Sequence, residues 1–113
     1  MLKSQELSSN IVIYNKYAKY LKANERRETW EEIVTRNKDM HYSKFKDDEF
    51  TLSEEDFQTL DGVYKKVYDK KVLPSMRSLQ FSGKPIEINN ARIYNCSYVP
   101  LDDWRAFQEI MFL

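Results

Sequence analysis

One cysteine, Cys96, one histidine, His41, two glycines and three prolines are all that the 113 residues contain of these types. A lone thiol excludes an internal disulfide framework and every zinc site built from several thiolates. Thiol redox work at Cys96 therefore needs a second sulfur from outside the chain. Charge of either sign is not in excess: 18 Lys and Arg stand against 18 Asp and Glu. That balance removes any global pull toward nucleic acid or anionic lipid. No apolar run exceeds four residues, with Ile110-Met111-Phe112-Leu113 at that limit, against the roughly 20 that a membrane-spanning helix needs. The opening MLKSQELSSN carries no apolar stretch leading to a small-residue cleavage site. A cytoplasmic chain is expected, with neither a membrane nor a nucleic-acid polymer as partner. Ser/Pro/Gly-rich tracts and repeats are missing too, so no flexible linker divides the chain.

What is present changes character near Val72. Of the 36 charged residues, 28 precede Val72, and all three prolines follow it. Residues 1–72 therefore read as a helical N-terminal region and residues 73–113 as a second layer of different texture. Ile11, Tyr14, Tyr17, Ala18 and Leu21 are spaced for a helix over Ser9 to Lys22, although Ile11-Val12-Ile13 is β-branched and could begin extended. Thr29-Trp30-Glu31-Glu32 has the form of a capping box. It predicts a helix from Trp30 to about Tyr42 with Trp30, Ile33, Val34, Met40 and Asn37 on its inner stripe. Ser53 and Asp56 predict a second cap, opening a helix from Glu54 to about Lys70 that buries Phe57, Leu60, Val63, Tyr64, Val67 and Tyr68 and is stopped by Leu73-Pro74.

Beyond Pro74, residues 75–83 predict a turn or a single helical turn closed by Gly83. Ala91 to Val99 predicts a strand with Arg92, Tyr94, Cys96 and Tyr98 on one face. Pro100-Leu101-Asp102 then opens a last helix expected to turn Trp104, Phe107, Ile110 and Met111 inward. Its apolar ending has no glycine or polar cap, which gives the sequence the look of the front of something longer.

Candidate chemistry has a bland alternative at each position. Cys96 is the only side chain suited to nucleophilic or redox work, and a small buried hydrophobe on a strand is its plain reading. Arg92, four strand residues away at about 13 Å, is too distant to activate the thiol by direct pairing. Asn95-Cys96-Ser97 fits a glycosylation pattern that has no secretory signal to accompany it. His41 reads as a helix C-terminal dipole partner before a metal ligand. Tyr14, Tyr17 and Tyr20 read as packing residues before a base-stacking platform. Asp47-Asp48-Glu49 and Glu54-Glu55-Asp56 lack the alternate ligands and central glycine of a calcium loop.

Taken as a set, three stretches point further. Ile13-Tyr14-Asn15-Lys16-Tyr17-Ala18-Lys19-Tyr20-Leu21 comes first, followed by Arg26-Arg27-Glu28-Thr29-Trp30-Glu31-Glu32-Ile33-Val34-Thr35-Arg36. Leu73-Pro74-Ser75-Met76-Arg77-Ser78-Leu79-Gln80-Phe81-Ser82-Gly83 then leads to Tyr94-Asn95-Cys96-Ser97-Tyr98-Val99. In this order they resemble the opening of the catalytic chain of ribonucleotide reductases, most closely the adenosylcobalamin-dependent ribonucleoside-triphosphate reductases. The resemblance implies an α+β fragment: a mainly helical N-terminal region, then the first strand and helix of a ribonucleotide-reductase-type α/β barrel. It implies that Cys96 is one of two thiols that reduce the substrate, and that Ser75 and Asn95 lie beside the nucleotide's phosphates or ribose.

The resemblance further implies partners: the remainder of the reductase chain, a ribonucleotide, and an external dithiol reductant such as thioredoxin. Adenosylcobalamin is expected on that remainder, not on this segment, and no metal ligand is expected here. The finger-loop thiol, the second reducing thiol and the C-terminal thiol pair of the family have no counterpart among these residues, so the chain alone should not turn over. A reading from another class stays open: a small non-enzymatic helical interaction module that binds a partner through the face from Trp104 to Leu113.

Overall fold

The computed structural model describes residues 3–47, 52–96 and 98–112. Its elements in chain order are α1 (Lys3–Lys16), β1 (Tyr20–Leu21), β2 (Arg26–Arg27), α2 (Trp30–Asp47), α3 (Glu54–Tyr68), α4 (Met76–Phe81), α5 (Lys84–Ile88) and α6 (Arg105–Phe112), with single 3₁₀ turns at Lys22–Asn24 and Asn90–Ile93.

The first helix lies six residues earlier than its apolar spacing predicts. The Tyr17 and Ala18 amides both return to the Ile13 carbonyl at 3.0 Å and close the helix there. Arg27 Nη1 then donates to the Tyr14 and Asn15 carbonyls at 3.1 and 3.4 Å, satisfying acceptors that a helix end leaves free. The chain turns extended and forms an antiparallel ribbon, pairing Tyr20 with Arg27 and Leu21 with Arg26. Glu25 closes its turn in the left-handed region at φ 52°.

The expected capping box at Thr29 is present, and the expected cap at Ser53 is a full capping box as well. The Thr29 amide donates to Glu32 Oε2 at 2.8 Å and the Glu32 amide donates to Thr29 Oγ1 at 3.4 Å. Ser53 and Asp56 exchange the same pair at 3.1 and 3.3 Å. α2 continues to Asp47, past the expected end at Tyr42; Asp48 and Glu49 lie outside the described residues. α3 stops at Tyr68, well before Pro74, because the chain closes it with a left-handed residue: Lys70 has φ 57°. The Lys70 amide donates to Val67 O and the Lys71 amide to Lys66 O, both at 2.9 Å, which is the paired bond pattern of a Schellman ending.

The core is small. Ile33, Val34 and Leu79 have no exposed surface, and Ala18, Val67 and Ala106 are buried. Ile13, Tyr17 and Trp30 pack against the Ala18–Ile33–Leu79 cluster, joining α1, α2 and α4. Asn37 belongs to the inner stripe, as its position on α2 suggested, at 1% exposure. Val63, by contrast, is exposed.

α4 is held at two points along its length. Asn37 Nδ2 donates to Ser78 Oγ at 2.8 Å, and Asn37 Oδ1 accepts from the Tyr64 hydroxyl at 2.9 Å, so one buried amide ties α2, α3 and α4 together. Beyond the helix end, Arg36 Nη1 donates to the Ser82 carbonyl and hydroxyl at 2.7 and 2.8 Å, while Lys19 Nζ reaches the same carbonyl at 2.9 Å. Arg36 also forms a two-pronged pair with Glu28 at 3.1 and 3.0 Å. Burial and the neighbouring Arg36 charge push the Lys19 ammonium below its usual range, and Glu28 opposes them.

Two expectations for residues 73–113 change. Where a strand was expected over Ala91–Val99, residues Asn90–Ile93 form a 3₁₀ turn, and 94–96 and 98–100 are irregular. Asn89 sets this geometry, its Oδ1 accepting from the Ala91 amide at 3.0 Å. No described segment lies alongside to supply the ladder bonds that define a strand. α6 does not turn its apolar residues inward: Trp104, Phe107, Met111 and Phe112 are all more than half exposed, and Ala106 is its buried residue.

Candidate functional site

A cleft of about 650 Å³ opens between the C-terminal end of α1 and the start of α4. Asn15, Lys16 and Tyr17 line one side, Ser75, Met76, Arg77 and Gln80 the other, and Asn95 closes the rim. The packing described above explains why these residues meet. Tyr17 packs on the core cluster at the end of α1, and Ser78 and Leu79 anchor α4 beneath its exposed Ser75 and Arg77.

Ser75 and Asn95, twenty positions apart, are thus brought to one cleft. Ser75 precedes α4 at its N-cap position, but its side chain makes no capping bond, so the hydroxyl is not consumed by the helix. Asn95 Oδ1 accepts from Arg77 Nε at 2.6 Å. Cys96 follows directly and is exposed, which removes the reading of this residue as a small buried hydrophobe. Because the segment is irregular, the strand-based separation of Arg92 from Cys96 no longer applies; Arg92 turns to the Pro85 carbonyl at 3.1 Å.

Arg77 and Lys16 escaped the sequence reading. Arg77 sits inside the Pro-Ser-Met-Arg stretch, yet no spacing marks it as a cleft residue. Lys16 ends a helix whose end the periodicity misplaces. With them the cleft is lined by two cations, the hydroxyl-bearing side chains of Tyr17 and Ser75, and the amides of Asn15, Gln80 and Asn95. That donor set suits an anionic, hydroxylated ligand such as a phosphorylated sugar. It offers no broad apolar floor for a corrin ring.

His41 lies within α2 rather than at its end, since the helix continues to Asp47. Desolvation by its surroundings, with the Lys44 ammonium adding to it, lowers its pKa from the usual imidazole value. Tyr17 packs on the core, whereas Tyr14 and Tyr20 are exposed and the Arg27 guanidinium lies 5.5 Å from the Tyr14 ring centre. Glu54, Glu55 and Asp56 form the first turn of α3, where the helix dipole favours them. Among the described residues no group of three or more His, Cys, Asp or Glu side chains could hold a metal ion. No described helix is long and apolar enough to cross a membrane.

Comparison of the chain with known protein families, with curated proteins and with solved structures finds no match.

Proposed function

We propose that this chain is the N-terminal part of a ribonucleoside-triphosphate reductase and that the cleft beside Cys96 takes the ribonucleotide. The observation that carries the reading is the meeting of Ser75, Arg77 and Asn95 on one cleft, with an exposed thiol on the next residue. In this reading Lys16 and Arg77 face the phosphates, Ser75 and Asn95 bind phosphate or ribose oxygens, and Cys96 is one of the two reducing thiols.

Replacing a ribose C–OH by C–H takes two electrons and two protons and releases water. A dithiol supplies both as it closes to a disulfide, so Cys96 needs a second thiol from the remainder of the reductase, and an external dithiol such as thioredoxin restores the pair. Adenosylcobalamin, which initiates the radical chemistry in the reductases this chain resembles, is assigned by that resemblance to the remainder. The setting of such an enzyme is cytoplasmic.

Alkylation of Cys96 by iodoacetamide tests the reading directly. A ribonucleoside triphosphate at millimolar concentration is expected to slow the reaction severalfold, and Ser75→Ala or Asn95→Ala to weaken that protection. An unchanged rate in the presence of nucleotide would overturn it.

A second reading rests on α6. Trp104, Phe107, Met111 and Phe112 leave one helix largely apolar and exposed, a surface suited to a protein partner. The two readings separate on Phe107→Glu: a helical interaction module loses partner binding while Cys96 remains dispensable, whereas the reductase needs both.

A further inference from the structure

We infer that Arg77 is a positioning residue for Cys96, holding the thiol-bearing segment beside the cleft through its bond to Asn95. The inference rests on the reading of Cys96 as the thiol that works there. Among the described residues, the Arg77–Asn95 contact is the one side-chain hydrogen bond that joins residues 94–112 to the helices before them. Residues 94–96 and 98–100 have no ladder to either side, and Tyr94 and Tyr98 are 71% and 86% exposed. The Tyr94 amide donates to the Ala91 carbonyl at 3.1 Å and ties the start of the segment to the 3₁₀ turn, but beyond it neither a ladder nor packing of these aromatic side chains locates Cys96.

Arg77, in contrast, stands on a fixed base. Its helix is buried at Leu79 and Ser78, the latter bonded to the interior amide of Asn37. The guanidinium lies 5.7 Å from the Phe81 ring centre, within cation–π range. A 2.6 Å bond from a planar, permanently charged donor restrains Asn95 more tightly than a neutral donor would. Position is thereby passed from the core through Ser78 and α4 to Arg77, to Asn95 and to the thiol one residue on. Arg92, the other arginine near this connection, bonds to Pro85 and does not reach the segment.

The lone cysteine makes the test direct, because a nitroxide attached to Cys96 labels one site. With no nucleotide present, Arg77→Gln and Asn95→Ala are each expected to shift the spectrum toward the fast, narrow-line limit. The double variant should shift it no further than either alone. Arg77→Lys, which keeps a donor, should restore part of the slow component, and Arg92→Gln should leave the spectrum unchanged. Melting followed by circular dichroism checks that each variant is folded; Asn95→Ala, in exposed irregular chain, decides the matter alone if Arg77→Gln does not fold. Unchanged spectra in the single variants, or additive shifts in the double, would overturn the inference. Nucleotide protection plays no part in this measurement, so failure of the substrate reading appears in the alkylation assay and not here.

Discussion

Asn37 donates its side-chain amide to the Ser78 hydroxyl across 2.8 Å, and both residues are buried. The same amide's oxygen accepts from Tyr64, so its loss strands polar groups on two other helices. Asn37→Leu is expected to cost about 1–3 kcal/mol, the range for leaving buried hydrogen-bonding groups unsatisfied. Ser78→Ala should cost less, because Asn37 keeps its bond from Tyr64. Urea melts of the two variants give the comparison; a larger loss for Ser78→Ala would show that the tie does not run through Asn37.

Local rules were legible where a signal and its target lie within one turn. Thr29 with Glu32 and Ser53 with Asp56 mark helix starts that the structure reproduces, because a capping box is complete in four residues. Helix ends were less legible: α1 is closed by Arg27 from across a ribbon, and α3 by a left-handed lysine, neither of which leaves a glycine to read. The alternation over residues 91–99 suggested a strand, but alternation describes a face and not a partner, and here the Asn89 side chain favours a turn. At the site, Cys96 stood out from the residues alone as the one side chain suited to redox work, while its role and the places of Ser75 and Asn95 came from a resemblance. Lys16 and Arg77 became visible only when the α1 end and α4 were packed together.

The Thr29–Glu32 cap yields a prediction with two parts. Thr29 Oγ1 receives its bond at 3.4 Å, whereas the stronger half, from the Thr29 backbone to Glu32, survives loss of the side chain. Thr29→Ala should therefore cost about 0.5 kcal/mol, the low end of the range for lost caps, and exposed Lys46→Ala should change less still. The Arg26 guanidinium and then the Thr29 amide hold the Glu32 carboxyl down at about 2, from 4.5. A carboxylate depressed on folding contributes stability that is fully present above its unfolded value and is lost as pH falls through the folded one. The cap should hence weaken between pH 4.5 and about 2. Carboxyl NMR titration should find the Glu32 midpoint moved upward in Arg26→Ala; an unmoved midpoint would remove the Arg26 fork as its cause.

The Arg36–Glu28 pair is enclosed, with side-chain exposures of 16% and 7%. Removing the arginine leaves a buried carboxylate short of two donors and also frees the Ser82 carbonyl and hydroxyl. Arg36→Ala is expected to destabilise the chain by about 3 kcal/mol, near the lower bound for breaking a buried pair. Against a typical total of roughly 5–15 kcal/mol this is a large fraction. Arg36→Met together with Glu28→Leu should recover part of it, since neither member of the pair is left charged without the other, although Lys19 loses its anionic neighbour. Denaturant midpoints for the single and double variants measure both, and a double variant weaker than Arg36→Ala would mean that the pair itself, not the stranded charge, carries the stability.

Cys96→Ser separates chemistry from packing at the site. Serine preserves the size of the residue and, in an exposed irregular segment, leaves little packing to lose. It cannot form a disulfide, so on the proposed function the two electrons needed for each deoxyribonucleotide have no source at this position. On the proposed function, a reductase reassembled from this variant and its remainder with adenosylcobalamin and a dithiol reductant is expected to retain radical formation, which that reading assigns to another cysteine, and to lose sustained product formation. Nucleotide binding at the cleft should persist, because Lys16, Ser75, Arg77 and Asn95 are untouched. Deoxynucleotide yield over many turnovers is the deciding measurement: output near that of the unaltered enzyme would show that Cys96 does not supply the reducing equivalents and would leave the cleft without its proposed thiol.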